Sequence, residues 1–243
     1  MTPSKVRLDQ LLVDRGMVES REKAKALILA GSVLVNGQKA GKAGHAVPAD
    51  CQVDLLASPR YVSRGGLKLE EALRHFGIAV EGKVCVDVGA STGGFTDCLL
   101  QHGAARVYAV DTGKGQLDWR LRNDARVVIR EGVNARYLEA GDVGETADLV
   151  VCDASFISAT LLLPPMARLL SAGGEMVILV KPQFEVGKGQ VGKGGIIRDP
   201  ALHRESCRKV EEAVREAGFL TAIIESPILG AEGNKEFLLY AHH

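Results

Sequence analysis

The stretch "VCVDVGASTGGFTDCLL", residues 84 to 100, decides the fold. Val84–Val88 is a short apolar run ending in a glycine-rich turn, and the residues after Gly94 take up a helical apolar period. Working outward, the same alternation of strand and helix recurs. Apolar runs at 107–110, 127–129, 149–152, 176–180, 220–224 and 237–240 read as six further strands, separated by helical stretches. Such alternation predicts an α/β fold, a Rossmann-like, mostly parallel seven-stranded sheet with helices on both faces. Ligands of such sheets bind beyond the carboxyl ends of the strands.

The turn narrows the ligand. Gly89-x-Ser91-x-x-Gly94 comes close to a dinucleotide fingerprint, but Ser91 stands where the second glycine would let the backbone approach a pyrophosphate. Asp87, inside the strand end, would repel a diphosphate and attract a sulfonium or an amino group. Asp111 ends the next strand, where an acid can bind both hydroxyls of a ribose. A glycine turn with two capping acids is the bland alternative. Together the four features favour a nucleoside cofactor, and the charges suit S-adenosyl-L-methionine (SAM) better than NAD.

A second glycine-rich stretch, "VKPQFEVGKGQVGKGG" at 180–195, falls one residue short of a phosphate loop. Such a loop must open a helix, so that backbone N–H groups meet phosphate. Here Gly194-Gly195, two isoleucines and Pro200 follow Lys193, and Gly194 stands where a magnesium-binding hydroxyl belongs. The acid-ended run "DLVVCD" also precedes the loop instead of following it. The phosphate-loop reading fails on all three counts.

Composition bounds the rest. The chain has 243 residues, 46% hydrophobic, enough for one ordinary domain and a small one. Lys+Arg and Asp+Glu balance at 30 each, yet residues 1–82 hold 12 basic and 9 acidic side chains. Five widely spaced cysteines without a CxxC pair, and six histidines without HExxH, point away from disulfides and metals and towards a reducing compartment. The polar start "MTPSKVRLDQ" lacks the apolar core of a signal peptide, and no apolar run is long enough to span a bilayer, so a cytoplasmic protein is expected.

The front segment is a unit of its own. "VRLDQLLVDRGM" and "SREKAKALILAG" read as short amphipathic helices closed by Gly16 and Gly31, with Ser20 as an N-cap. "SVLVNGQKA" is a hairpin turning at Asn36-Gly37, and "CQVDLL" a further strand. The basic cluster on the second helix suits either a solvated face or a phosphate-contacting one. The order of elements tips that balance. "RLDQLLVDRGMVESREKAKALILAGSVLVNGQKA" resembles the S4 RNA-binding domain over about residues 5–57. The resemblance implies structured RNA as partner, with Arg7, Arg21, Lys23, Lys25 and Lys39 as contacts. The expected division is 1–58 for this domain, 59–66 for a linker and 67–243 for the large domain, whose first helix should begin at Leu67.

Four charged residues fall at the carboxyl edge of the sheet. Asp153 and Lys181 end neighbouring strands, Glu236 begins the last strand, which reaches that edge by running antiparallel as in many methyltransferases, and Lys68 lies on the helix after the linker. Singly these would be capping or surface groups; together they mark a site. They resemble the K-D-K-E tetrad of FtsJ-like ribose 2′-O-methyltransferases. With "RGGLKL", "DVGASTGGFTD", "NAR", "DASFIS" and "KPQFEVGKGQVG", nearly the whole chain resembles the TlyA-like S4-domain rRNA methyltransferases, long labelled hemolysins. The resemblance implies Lys181 as the lysine activating the 2′-hydroxyl and Asp153 orienting it, with Lys68 and Glu236 holding the substrate and tuning the charge. Around SAM it implies Asp87, Gly89, Ala90, Ser91, Thr92, Gly93, Gly94, Phe95, Asp111, Asn134 and Asp153. Arg64 joins the expected RNA contacts, and no metal is implied. Tyr61 stands where the family often has tryptophan.

Three rival functions remain to be weighed. Base methylation would call for a Pro-Pro-aromatic motif or a crevice cysteine; "DASF" has neither, and Cys152 should point away from the face of Asp153. A membrane-active hemolysin would need an exposed amphipathic segment, whereas "ATLLLPPMARLL" reads as a core helix broken by Pro164-Pro165. A ribosome binder without catalysis would have no use for the intact tetrad. The substrate expected is ribosomal RNA, at a cytidine. The chain stops soon after "FLLYAHH", without the extension some relatives carry, which leaves the large subunit alone or both subunits as target, the large subunit being favoured.

Overall fold

A computed structural model describes residues 5–56, 59–230 and 233–243. The chain divides into two units, Met1–Pro59 and Arg60–His243.

In the small unit, β1 (Lys5–Arg7) leads into α1 (Leu8–Asp14) and α2 (Arg21–Leu29), followed by β2 (Val33–Val35), β3 (Gln38–Lys39), β4 (Ala46–Pro48) and β5 (Val53–Leu55). The two helices bury Leu8, Leu11, Leu12, Ala24 and Ile28 against Val33, Val47 and Val53. Ser20 caps α2 as expected, its Oγ accepting from the Lys23 N–H at 3.2 Å. The β2–β3 hairpin turns at Asn36 (φ 49°) and Gly37 (φ 79°), the left-handed pair a two-residue turn requires. The sequence reading missed β1 and β4, which pair antiparallel with each other. Each has a single inward valine, Val6 or Val47, and no second inward apolar residue to mark alternation.

The large unit contains α3 (Gly65–Phe76), β6 (Val84–Val88), α4 (Gly94–Gln101), β7 (Arg106–Asp111), α5 (Trp119–Arg122), β8 (Val127–Glu131), α6 (Ala140–Val143), β9 (Ala147–Cys152), α7 (Leu163–Leu169), β10 (Leu170–Val180), α8 (Pro182–Glu185), α9 (Pro200–Glu216), β11 (Leu220–Glu225) and β12 (Phe237–His242). All seven expected strands join one sheet in the order β11-β12-β10-β9-β6-β7-β8. β10, β9, β6, β7 and β8 are parallel, and β12 runs antiparallel to both of its neighbours. The first residues of β12 therefore lie at the edge where the parallel strands end. Apolar side chains pack on both faces of the sheet, Cys85, Leu149 and Val151 on one and Val86, Val150 and Cys152 on the other. Cys152 is a core residue as expected, and burial pushes its thiol up to about 12.

Two local readings change. Helix α3 begins at Gly65, two residues before the expected Leu67. Its glycines are there for close packing: a Cβ on Gly66 would overlap the Tyr61 ring, and one on Gly94 would come 3.0 Å from the Gly66 nitrogen. Tyr61 is buried in the core of the large unit, and Arg60 onward belongs to that unit. The glycine-rich stretch at 187–195 forms only single 3-10 turns, with Gly194 left-handed (φ 77°), and α9 starts at Pro200. No helix opens on the loop, as the sequence required.

Candidate active site

The turn after β6 is built by short contacts. Gly89 (φ 86°) donates to the Val110 carbonyl at 2.8 Å, and a Cβ there would sit 2.8 Å from the Asp153 carbonyl oxygen. Only glycine brings these strand ends so close. Gly93 (φ 95°) then caps α4, leaving no room beside Leu117 and Leu121 for a side chain.

Asp87 lies beneath this turn with no exposed surface. Its Oδ2 accepts from the Thr96 N–H (2.9 Å) and the Thr96 hydroxyl (2.6 Å), while Oδ1 has no hydrogen-bond partner among the described residues. Burial drives its pKa up to about 7; the bonds from Thr96 oppose the shift, and Asp153 and Asp111 add to it. Asp111 accepts from the Ser91 N–H (2.8 Å) and the Gly113 N–H (2.6 Å).

Two cavities adjoin at the carboxyl edge. The one of about 360 Å³ is bordered by Asp111, Asn134, Val110, Gln116 and Ile157. The one of about 520 Å³ is bordered by Lys68, Lys181, Glu236, Arg64, Phe95 and Gln183. They share Gly89, Ser91, Asp153, Ser155 and Phe156. Ala90, Thr92 and Gly94 border the larger cavity; Gly93 and Asp87 border neither.

The four charged residues meet in the larger cavity as two ion pairs. Lys181 Nζ lies 2.6 Å from Asp153 Oδ1 and donates to Ser155 Oγ at 2.8 Å. Lys68 is paired with the Glu236 carboxylate. Lys68 and Lys181 are each 8% exposed and Glu236 3%. Each cation thus has its own carboxylate, an arrangement the sequence could not show. Buried pairs of this kind hold their members in fixed directions, and losing one partner leaves an uncompensated charge.

Several bordering residues escaped the sequence reading. Phe156 is 92% exposed in a left-handed conformation (φ 64°) that bulky side chains rarely adopt, its ring centroid 5.2 Å from that of Phe184. Its signal was an aromatic residue just past a strand-end acid. Asn234 and Gln183 gave no signal, being single amides, one in a loop and one in the four-residue α8.

The expected RNA contacts of the small unit fall into two sets. Arg7 and Arg21 both bind the fully buried Asp9, at 2.9 and 3.0 Å, and Lys23 pairs with Glu19 at 3.2 Å. Lys25 and Lys39 are exposed, without an ion pair among the described residues. Arg64, in the large unit, is exposed at the start of α3. Among the described residues no helix is long and apolar enough to cross a membrane.

Comparison with known proteins agrees with this geometry. Residues 61–243 match the FtsJ-like methyltransferase family and residues 6–52 the S4 domain. The 16S/23S rRNA (cytidine-2′-O)-methyltransferase TlyA of Mycobacterium tuberculosis is 46% identical, over 97% of this chain and 89% of its own. Hemolysin A of Brachyspira hyodysenteriae is 45% identical, over 97% of this chain and 99% of its own. A solved protein of Streptococcus thermophilus with a provisional hemolysin name is 44% identical, with a TM-score of 0.75, covering 98% of this chain and 88% of the other. With its glycine turn, its paired charges and an S4 domain ahead of them, the chain belongs to the FtsJ-like methyltransferase family.

Proposed function

We propose that this methyltransferase transfers a methyl group from SAM to a ribose 2′-hydroxyl of ribosomal RNA, at a cytidine of the large subunit. The observation that carries this reading is the convergence of two lysine–carboxylate pairs, both lysines buried, on a cavity that shares a wall with a nucleoside-sized one. The residues present suit SAM. Asp87 keeps a buried oxygen without a partner among the described residues, and Asp111 borders the smaller cavity with lone pairs to spare for ribose hydroxyls. Asn134 and Ile157 would flank the base. Bound there, SAM would supply an activated methyl group.

The chain's own residues would do the rest. A ribose hydroxyl is a weak nucleophile and must lose its proton as its oxygen attacks. Lys181 would hold that oxygen and, in its amine form, take the proton. Asp153 and Ser155 fix the direction of Nζ. Lys68 and Glu236 would hold the ribose from the opposite wall, and Phe156 offers an exposed ring on which a base can stack. Ordering the two reactants in one cavity is itself a large part of the rate enhancement.

In the small unit Lys25 and Lys39 would neutralise phosphates, and Arg7 and Arg21 would present guanidinium forks already oriented by Asp9. The relatives' substrates, read from their names, support ribosomal RNA and cytidine; a cytoplasmic location would follow from that substrate.

The test uses labelled SAM with separate ribosomal subunits from cells lacking this protein, followed by alkaline digestion of the RNA. Label in an alkali-resistant dinucleotide from the large subunit is the expected result. Label on a base would remove the 2′-hydroxyl role from Lys181. Transfer to neither subunit, with SAM binding confirmed, would overturn the proposal.

A further inference from the structure

The glycine-rich stretch that fails as a phosphate loop has a different anchor. Asn234 is 3% exposed, and its carboxamide uses both ends on that stretch. Oδ1 accepts from the Ile197 N–H at 3.0 Å, and Nδ2 donates to the Gly195 carbonyl at 3.0 Å. The contacts cross 37 and 39 residues of sequence. Ile197 is itself buried, and its carbonyl lies 3.0 Å from His203 Nε2 on α9. The segment is therefore tied from two sides. Gly192 turns so tightly that a Cβ there would lie 2.7 Å from the Ile196 carbonyl oxygen.

The other end of the tie is the active site. Asn234 stands two residues before Glu236, and its carbonyl accepts from the Gly230 N–H at 2.8 Å. A Cβ on Gly230 would overlap the Glu236 carboxylate, so the Gly230 backbone confines that side chain. Val191, Gly195, Asn234 and Glu236 all border the larger cavity.

We infer that Asn234 is a positioning residue: its carboxamide fastens the wall at 191–197 to the turn that carries Glu236, making one rigid side of the cavity that receives the acceptor nucleoside. The inference rests on the reading of that cavity as the acceptor site. The amide suits the task because it is both donor and acceptor in one plane. Aspartate would keep the acceptor for Ile197 but place a charge against the Gly195 carbonyl. Alanine would take the side-chain partner from the buried Ile197 N–H and from the part-buried Gly195 C=O. The residues bordering the smaller cavity are not tied by Asn234, so cofactor binding should not sense the change.

The experiment compares the full-length wild type with Asn234→Ala and Asn234→Asp. It measures hydrogen exchange over 191–197, SAM affinity by calorimetry, and methyl transfer to ribosomal subunits at saturating SAM. Asn234→Ala should speed exchange at Ile197 by roughly tenfold or more. It should lower kcat/KM for RNA by roughly a hundredfold, the scale of a small misplacement of reactants, with SAM affinity within about twofold of wild type. Asn234→Asp should keep most of the Ile197 protection and lose less turnover; it carries the test should the alanine variant fail to fold. Faster exchange with unchanged RNA turnover would overturn the positioning role. So would SAM affinity falling in step with turnover, the mark of general loosening. A wild-type enzyme that transfers no methyl group to RNA would instead refute the proposed function, which separates the two failures.

Discussion

Each unit of this chain fully buries an aspartate, and the two titrate in opposite directions. In the small unit Asp9 meets the Arg7 and Arg21 guanidiniums, and the hydrogen bond from Arg7 above all holds its carboxyl well below the usual range. In the large unit Asp87 meets only Thr96 and keeps one oxygen without a partner among the described residues; burial pushes it up to about 7. A buried charge that brings its own cations serves the fold. One left short of partners beneath the glycine turn is held for something else. The same contrast runs through the lysines. Lys25 and Lys39 sit in water, while Lys68 and Lys181 are buried against carboxylates.

The widest test of this contrast compares lysines. Lys181→Ala should abolish methyl transfer, by roughly a thousandfold or more, while SAM still binds. Turnover within tenfold of wild type in a radiolabel assay would erase the division between chemical and binding charges.

The aspartates differ in the sign of their pH dependence. The folded pKa of Asp87 lies above its unfolded value, so the folded state binds the extra proton. Its contribution to stability is favourable at acid pH and falls as pH rises from about 4 to about 7, then levels off. Asp87→Asn should therefore flatten the pH dependence of unfolding, changing the gap from wild type by roughly 2–3 kcal/mol between pH 5 and pH 7. Denaturant titrations at several pH values read this, and calorimetry should show weaker SAM binding by the variant. A gap that does not change with pH would mean that Asp87 is not held as described.

Asp9 has the opposite sign. Its folded pKa is depressed, so its stabilisation is complete above the unfolded value near 4 and is lost as pH falls towards the folded one. Asp9→Asn should cost the small unit about 1–3 kcal/mol at neutral pH, less than a fully buried pair because both arginines are about half exposed. Proteolysis or hydrogen exchange confined to residues 5–56 would measure it. Equal losses in both units would contradict the local role.

The smallest effect belongs to the solvated lysines. Lys25→Ala should weaken RNA binding a few-fold and reduce the salt slope of log K by about one, as for one phosphate contact. An unchanged slope would place Lys25 outside the interface.

Most of the architecture was legible because its signals are local. Seven apolar runs gave seven strands, and Asn36-Gly37 gave the hairpin. Strands β1 and β4 carry one inward valine each and so showed no alternation, and α3 began early because its two glycines answer packing by Tyr61 and α4 instead of helix propensity. In the site, Lys68, Asp153, Lys181 and Glu236 were readable from strand ends and from a motif resemblance. The antiparallel last strand was expected too, but the pairing was not, since it depends on which side chains meet across 168 residues of sequence, as Lys68 and Glu236 do.

By itself, then, the sequence determined the alternating α/β plan, the glycine turn with its two acids, the failure of the phosphate loop and the S4 segment ahead of them. Each of these is a matter of spacing along the chain. Only the tertiary structure decided which lysine faces which carboxylate, why Asp9 and Asp87 titrate apart, and that Asn234 fastens residues 195 and 197. Those outcomes depend on burial and on distances of about 3 Å between residues far apart in sequence, and a buried charge takes its behaviour from the partners that folding brings to it.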